Sequence, residues 1–136
     1  MCGIGGSVDF SAAVEEGLLH RMCAAMEHRG PDGRGLHIED GVGLAMQRLA
    51  IIDVDGGQQP IFNEDATVGV VLNGEIYNFR EVRAELDRLR GGGRWRGHSD
   101  TEVLVEALSA FGLQGALSRI DGMFAFAAWD RHARRL

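Results

Sequence analysis

The stretch Met123-Phe124-Ala125-Phe126-Ala127-Ala128-Trp129-Asp130 constrains the fold more than any other. It is apolar at odd and even positions alike. A strand turns successive side chains to opposite faces, so both faces of this one need cover, and it is expected to lie buried between layers. The other strands ask for less. Residues 3–10 place Ile4, Val8 and Phe10 on a strand. Residues 35–38 and 42–47 alternate, with Leu36 and Ile38, then Val42, Leu44 and Met46. An extended apolar run covers 48–53, 55–60 is a loop and 63–65 a turn, and 66–72 is a further strand. Asn73-Gly74 reads on pattern alone as a tight turn.

Helices fill the intervals. Ser11 is the expected cap of a helix to about Glu27, with Val14, Leu18, Met22 and Met26 on one face and Leu19 and Cys23 beside them. Asn78 with Glu81 opens a second, burying Phe79, Val82, Leu86 and Leu89 and stopping at Gly91. The glycines at 91–93 form a connector. Ser99-Asp100-Thr101-Glu102 is a capping box that starts a third helix, running to about Phe111 with Gly112 as its stop; a short helical turn follows at 113–118. Strands, helix, strands, two helices and a strand, joined by short links, predict an α+β fold with antiparallel pairing. A two-faced strand needs a neighbour on each side, and almost nothing follows 123–130. The chain is therefore expected to be truncated at its C-terminal side.

The 136 residues make one domain, with 45% hydrophobic and 25% charged residues. Net charge is −6 and no basic stripe exists, which argues against nucleic-acid or anionic-membrane partners. All 14 basic residues are arginine, so a lysine Schiff base and a phosphate-loop lysine are excluded within this chain. Two cysteines make no disulfide framework, and neither a signal peptide nor a membrane-length apolar run is seen. The expected compartment is the reducing cytoplasm.

Chemistry concentrates at the start, Met1-Cys2-Gly3-Ile4. Removal of Met1 would leave a thiol and a free α-amine on one residue. An α-amine has an ordinary pKa of about 7.7–8.0, so near neutrality a useful fraction can take the thiol proton, directly or through a water. Cys23 lies on the apolar stripe of its helix and reads as a small core residue. The five histidines show no ligand spacing, no metal site is expected, and no serine sits in a nucleophile elbow.

Six segments occur in order: Met-Cys-Gly-Ile at 1–4, His-Arg-Gly-Pro-Asp at 28–32, Gln-Arg-Leu-Ala-Ile-Ile-Asp at 47–53, Asn-Gly-Glu-Ile-Tyr-Asn at 73–78, Ser-Asp-Thr-Glu at 99–102 and Asp-Gly-Met-Phe-Ala-Phe-Ala at 121–127. Together they resemble the N-terminal-nucleophile, class II glutamine amidotransferase domain of the glutamine-hydrolysing asparagine synthetases, over nearly the whole chain. The resemblance implies a four-layer αββα sandwich with mostly antiparallel sheets, its C-terminal part missing. It implies hydrolysis of glutamine to glutamate and ammonia, with Cys2 as nucleophile and Asn73 and Gly74 as the oxyanion hole. Arg48, Leu49, Ile51, Ile52, Glu75 and Asp100, with Asn73 and Gly74, would bind glutamine. Arg48 suits the α-carboxylate, since a guanidinium grips it with two bonds, and Asp100 the α-ammonium. On residue pattern alone, Arg48 could equally be a strand-end arginine and Asp100 a helix-start acid. His28, Arg29 and Asp32 read as structural or gating. No cofactor is expected for the glutaminase step. ATP and magnesium would belong to a synthetase domain outside this chain, which would receive the ammonia and convert aspartate to asparagine. A homodimer is compatible with this reading. The alternatives are a related amidotransferase with another acceptor and a non-catalytic glutamine-binding fragment.

Overall fold

The computed structural model describes residues 1–53, 56–92 and 94–136. Asp55 of the expected loop and Gly93 of the expected connector lie outside the described residues. In chain order the elements are β1 (Gly3–Val8), α1 (Glu16–Met26), a 3-10 turn (Glu27–Arg29), β2 (Gly33–Glu39), β3 (Val42–Arg48), β4 (Ile61–Phe62), β5 (Val68–Ile76), α2 (Phe79–Arg90), α3 (Asp100–Leu117) and β6 (Gly122–Asp130). They form two antiparallel three-stranded sheets, β1-β3-β2 and β4-β5-β6.

Strand alternation explains the layering. Val42, Leu44 and Met46 of β3 meet Val71 of β5 and Trp129 of β6 between the sheets. The opposite face of β3 carries Ala45, which packs with Leu19 and Cys23 of α1. Small residues let the helix lie close: a Cβ on Gly43 would stand 2.8 Å from Val14 and 2.9 Å from Leu19. On the outer side of the second sheet, Val70, Leu72 and Ile76 join Val82, Leu86, Val103 and Leu104 of α2 and α3. The order of layers is α1, sheet, sheet, α2 with α3: the expected αββα sandwich.

Several local expectations change. Residue 11 does not cap α1. Ser11 closes a turn on Asp9 instead, with its amide at 2.8 Å and its hydroxyl at 2.6 Å from Oδ1, and the helix starts at Glu16. Asn78 does not cap α2 with its side chain, which bridges Arg119 O and the Asp121 amide, each at 2.8 Å. Leu89 points to solvent, 63% exposed. Gly91 ends that helix in the left-handed region at φ 69°, as expected of a glycine stop. Half of the second capping box forms. Ser99 Oγ accepts from the Glu102 amide, whereas the Glu102 carboxylate turns to the amides of Arg96 and Gly97. Gly112 breaks α3 at φ 69°, so a second short helical piece follows it.

The largest revision concerns β5 and β6. Asn73-Gly74 is not a turn: β5 runs straight through it, paired with Ala125 and Phe124 of β6. Gly74 takes φ 137°, and a Cβ there would lie 2.1 Å from Met123 O, so glycine answers a close approach inside a sheet. The two faces of β6 are both used, Phe124, Phe126 and Ala128 toward the helices and Ala127 and Trp129 toward the facing sheet. Yet among the described residues β6 is an edge strand, and its first half is open, with Met123 63% exposed.

Candidate active site

The start of β1 lies beside the end of β3, because Gly3 pairs with Gln47. One residue further out, Cys2 meets the chain leaving β3. The Leu49 amide donates to Cys2 Sγ at 3.4 Å, and Sγ lies 3.6 Å from Leu49 O. The side chain is half-buried and packs on the inter-sheet cluster. Cys23 is fully buried, and burial pushes its thiol up from the ordinary cysteine value. Only Cys2 thus pairs an accessible thiol with a cleft.

The His-Arg-Gly-Pro-Asp segment braces this corner. Arg29 Nε donates to Cys2 O at 2.9 Å. Asp32 receives the Ala50 amide on Oδ2 at 2.9 Å and donates its own amide to Arg48 O at 2.9 Å. Gly30 lets the chain cross tightly, since a Cβ there would be 2.4 Å from Gln47 O. Gln47 Nε2 then donates to Gly30 O at 3.0 Å. His28 has no role in these contacts.

A cavity of about 170 Å³ opens beside Cys2. Its wall contains Cys2, Arg48, Leu49, Ile51, Ile52, Gly74, Glu75 and Asp100. Segments at 2, 48–52, 74–75 and 100 thus converge on one space. Arg48 is buried, and its Nη2 donates to Ile52 O at 3.0 Å and Asp53 O at 2.6 Å, so the guanidinium also shapes the loop it starts. Asp100, in the first turn of α3, accepts the Ile76 amide on Oδ2 at 2.9 Å. That bond ties the helix start to the end of β5. Among the described residues Oδ1 accepts only the Thr101 hydroxyl, at 3.5 Å.

Asn73 is the one predicted site residue that does not line this cavity. By strand alternation its side chain falls on the same side of β5 as Val71, the inter-sheet side on which Cys2 packs. Its Oδ1 is the one buried side-chain polar atom without a hydrogen-bond partner among the described residues. Such atoms are costly and concentrate at functional positions.

Sequence reasoning missed part of the wall. Gln59 is buried in it, with Oε1 accepting the Leu72 amide at 2.6 Å and Nε2 donating to Thr101 Oγ1 at 3.0 Å. Nothing in Gln58-Gln59-Pro60 distinguishes a buried brace from loop polarity. Tyr77, Met123 and Met1 stand at the mouth, all exposed. Tyr77 was within reach, since it belongs to the Asn-Gly-Glu-Ile-Tyr-Asn segment. No group of acidic, histidine or cysteine side chains that could hold a metal ion occurs among the described residues. No helix among them is long and apolar enough to cross a membrane.

Comparison with known proteins gives a consistent picture. A family model described as a glutamine amidotransferase domain matches residues 1–136. The chain is 37% identical over 140 residues to glutamine-hydrolysing asparagine synthetase 2 of Bacillus subtilis, covering all of this chain and 18% of that protein. It is 39% identical over 136 residues to asparagine synthetase 1 of the same organism, covering 97% of this chain and 21% of that protein. The Zea mays asparagine synthetase is 41% identical over 133 residues, covering 96% of this chain and 22% of that protein. The chain spans about a fifth of the length of these relatives.

Proposed function

The chain belongs to the glutamine amidotransferase domain family, and from that premise we propose that it hydrolyses the side-chain amide of glutamine with Cys2 as nucleophile. The observation that carries this reading is the convergence of Cys2, Arg48 and Asp100 on one small cavity. A thiol, a buried guanidinium and a carboxylate with one lightly engaged oxygen match the three reactive ends of a free glutamine.

In this reading Arg48, whose guanidinium side chain belongs to the cavity wall, takes the α-carboxylate. Asp100 takes the α-ammonium on Oδ1. The side-chain amide carbon then comes to Cys2 Sγ. Attack forms a tetrahedral intermediate whose oxyanion is received by the Gly74 amide and the Asn73 side chain. On Asn73 the donor to the oxyanion is Nδ2, while its unpaired Oδ1, an acceptor, would take a hydrogen from the substrate's side-chain NH2. The intermediate collapses to a γ-glutamyl thioester as the nitrogen, protonated on its way out, leaves as ammonia. Water then attacks the thioester, releases glutamate and returns the thiol.

Removal of Met1 is part of the proposal. Its peptide bond occupies the Cys2 nitrogen, and its side chain stands in the cavity mouth. Clipping it would free the α-amine as the general base and clear the entrance. We further assign residues 1–136 to the ammonia-producing unit of a larger enzyme. The relatives are named asparagine synthetases, so the ammonia would pass to a synthetase domain that makes asparagine with ATP and magnesium. The test is glutamate release from glutamine by the wild-type protein and by Cys2→Ala. Release that survives in Cys2→Ala refutes the reading.

A further inference from the structure

Asp53 joins the two ends of the site. Its main-chain oxygen accepts from Arg48 Nη2 at 2.6 Å and from the Gly57 amide at 2.8 Å. Its carboxylate accepts the His98 amide on Oδ2 at 2.7 Å and the Gly56 amide on Oδ1 at 3.1 Å. His98 stands two residues before Asp100, on the segment that delivers that acid to the cavity. One residue therefore holds Arg48 with its backbone and the approach to Asp100 with its side chain. The fit is close, since a Cβ on Gly97 would lie 2.3 Å from Asp53 Oδ2. Asp53 itself adopts φ 50°, a left-handed conformation that aspartate tolerates better than most residues. The His98 amide, with that of Gly56, holds its carboxyl below the usual range, so it stays ionised for these bonds. Asp53 is not in the wall of the glutamine cavity, and no step of the hydrolysis uses its carboxylate.

We propose that Asp53 is a positioning residue that sets the separation between Arg48 and Asp100, and so makes the site select an amide bearing both an α-carboxylate and an α-ammonium. This rests on the function proposed above. The loop from Arg48 to Asp53 and the His98 link supply the connection. Losing it lets each group still bind its own charge, but not both at the distance glutamine presents.

The test compares glutamine with glutaramate, the same amide without the α-amino group, in the full-length protein. In Asp53→Ala the KM for glutamine rises about tenfold while kcat stays within about threefold of wild type, and the preference for glutamine over glutaramate in kcat/KM falls by about tenfold. Asp53→Asn keeps one carboxamide oxygen for one of the two amides, and its preference lies between the two. Alkylation of Cys2 by iodoacetamide needs neither α-group and proceeds at the wild-type rate in both variants. An unchanged preference, with both substrates losing equally or neither losing, overturns the proposal. Should Asp53→Ala fail to fold, the Asp53→Asn ratio decides in the same way. A wild-type protein that releases no glutamate from glutamine refutes the underlying function instead, a result distinct from an unchanged ratio.

Discussion

The role proposed for Cys2 rests on where its neighbours put it. The Leu49 amide points at Sγ, Arg29 anchors the Cys2 carbonyl, and the remaining thiol, Cys23, is sealed in the layer beneath α1. Because Cys2 is only half-buried, truncating it removes chemistry with little packing. Cys2→Ala is expected to lower glutamine hydrolysis by at least ~10³-fold, in line with the loss of other nucleophiles that act as part of a unit. Its unfolding free energy from urea titration should stay within about 0.5 kcal/mol of wild type. A loss of activity that tracks a loss of stability would assign Cys2 to the fold rather than to the reaction. Arg48 is the second residue with a sharp expectation. Arg48→Lys keeps the charge but loses the planar fork, so the KM for glutamine should rise about 10–100-fold with a smaller change in kcat. An equal fall in kcat and kcat/KM would mean that the guanidinium acts in the transition state instead.

At the level of elements, the site depends on tight crossings of backbone. Gly30 passes so near Gln47 O and the Arg48 carbonyl carbon that a Cβ would stand 2.4–2.5 Å from them. These are main-chain atoms that cannot rotate away. Gly30→Ala is expected to cost about 2–4 kcal/mol in equilibrium unfolding, and to slow Cys2 alkylation by shifting the strand end that Cys2 leans on. A cost below about 0.5 kcal/mol would show that the crossing relaxes freely. Helix faces and strand alternation were readable in the sequence because each element repeats its own period. Val42, Leu44 and Met46 along β3 fell where the pattern put them, whereas under α1 the fully buried pair is Leu19 and Cys23, placed beside the expected face of Val14, Leu18, Met22 and Met26, which is only partly buried. Local punctuation misled where tertiary contacts outbid it. Asn73-Gly74 carries a strong turn signal, yet nine consecutive pairs with β6 hold it in a strand. Ser11 and Asn78 look like caps, but each side chain has a better partner outside the helix. Gln59 could not be found by pattern, since its partner Thr101 lies more than 40 residues away, and although Asp53 closes the segment at 47–53, nothing in that segment points to His98, also more than 40 residues away.

Across the whole molecule, the two sheets are clasped at the end remote from Cys2. Glu39 at the end of β2 receives Arg131 Nε at 2.7 and 2.8 Å, Trp129 Nε1 at 3.0 Å and His37 Nε2 at 2.7 Å. The Arg131 guanidinium, then the Trp129 and His37 hydrogen bonds, lower the Glu39 pKa to about 2. An unfolded glutamate titrates near 4.3, so this stabilisation is complete above about pH 4.5 and is lost as pH falls from there toward 2. Stability measured by urea unfolding should therefore fall between pH 4.5 and 2.5 by about 2 kcal/mol more in wild type than in Glu39→Gln, which has no carboxylate to protonate. Parallel pH curves for the two proteins would mean that the clasp carries no net energy. The clasp and the layered core together keep Cys2, just before β1, and Gly74 of β5 on one cavity, and on that alignment the proposed chemistry depends. The most direct measurement is peptide mass mapping of the protein after treatment with a diazo-ketone analogue of glutamine. The account predicts a single adduct on Cys2, on chains that begin at Cys2 with Met1 removed, and protection by glutamine. Labelling at Cys23, or labelling of Cys2 with Met1 still attached, would contradict it.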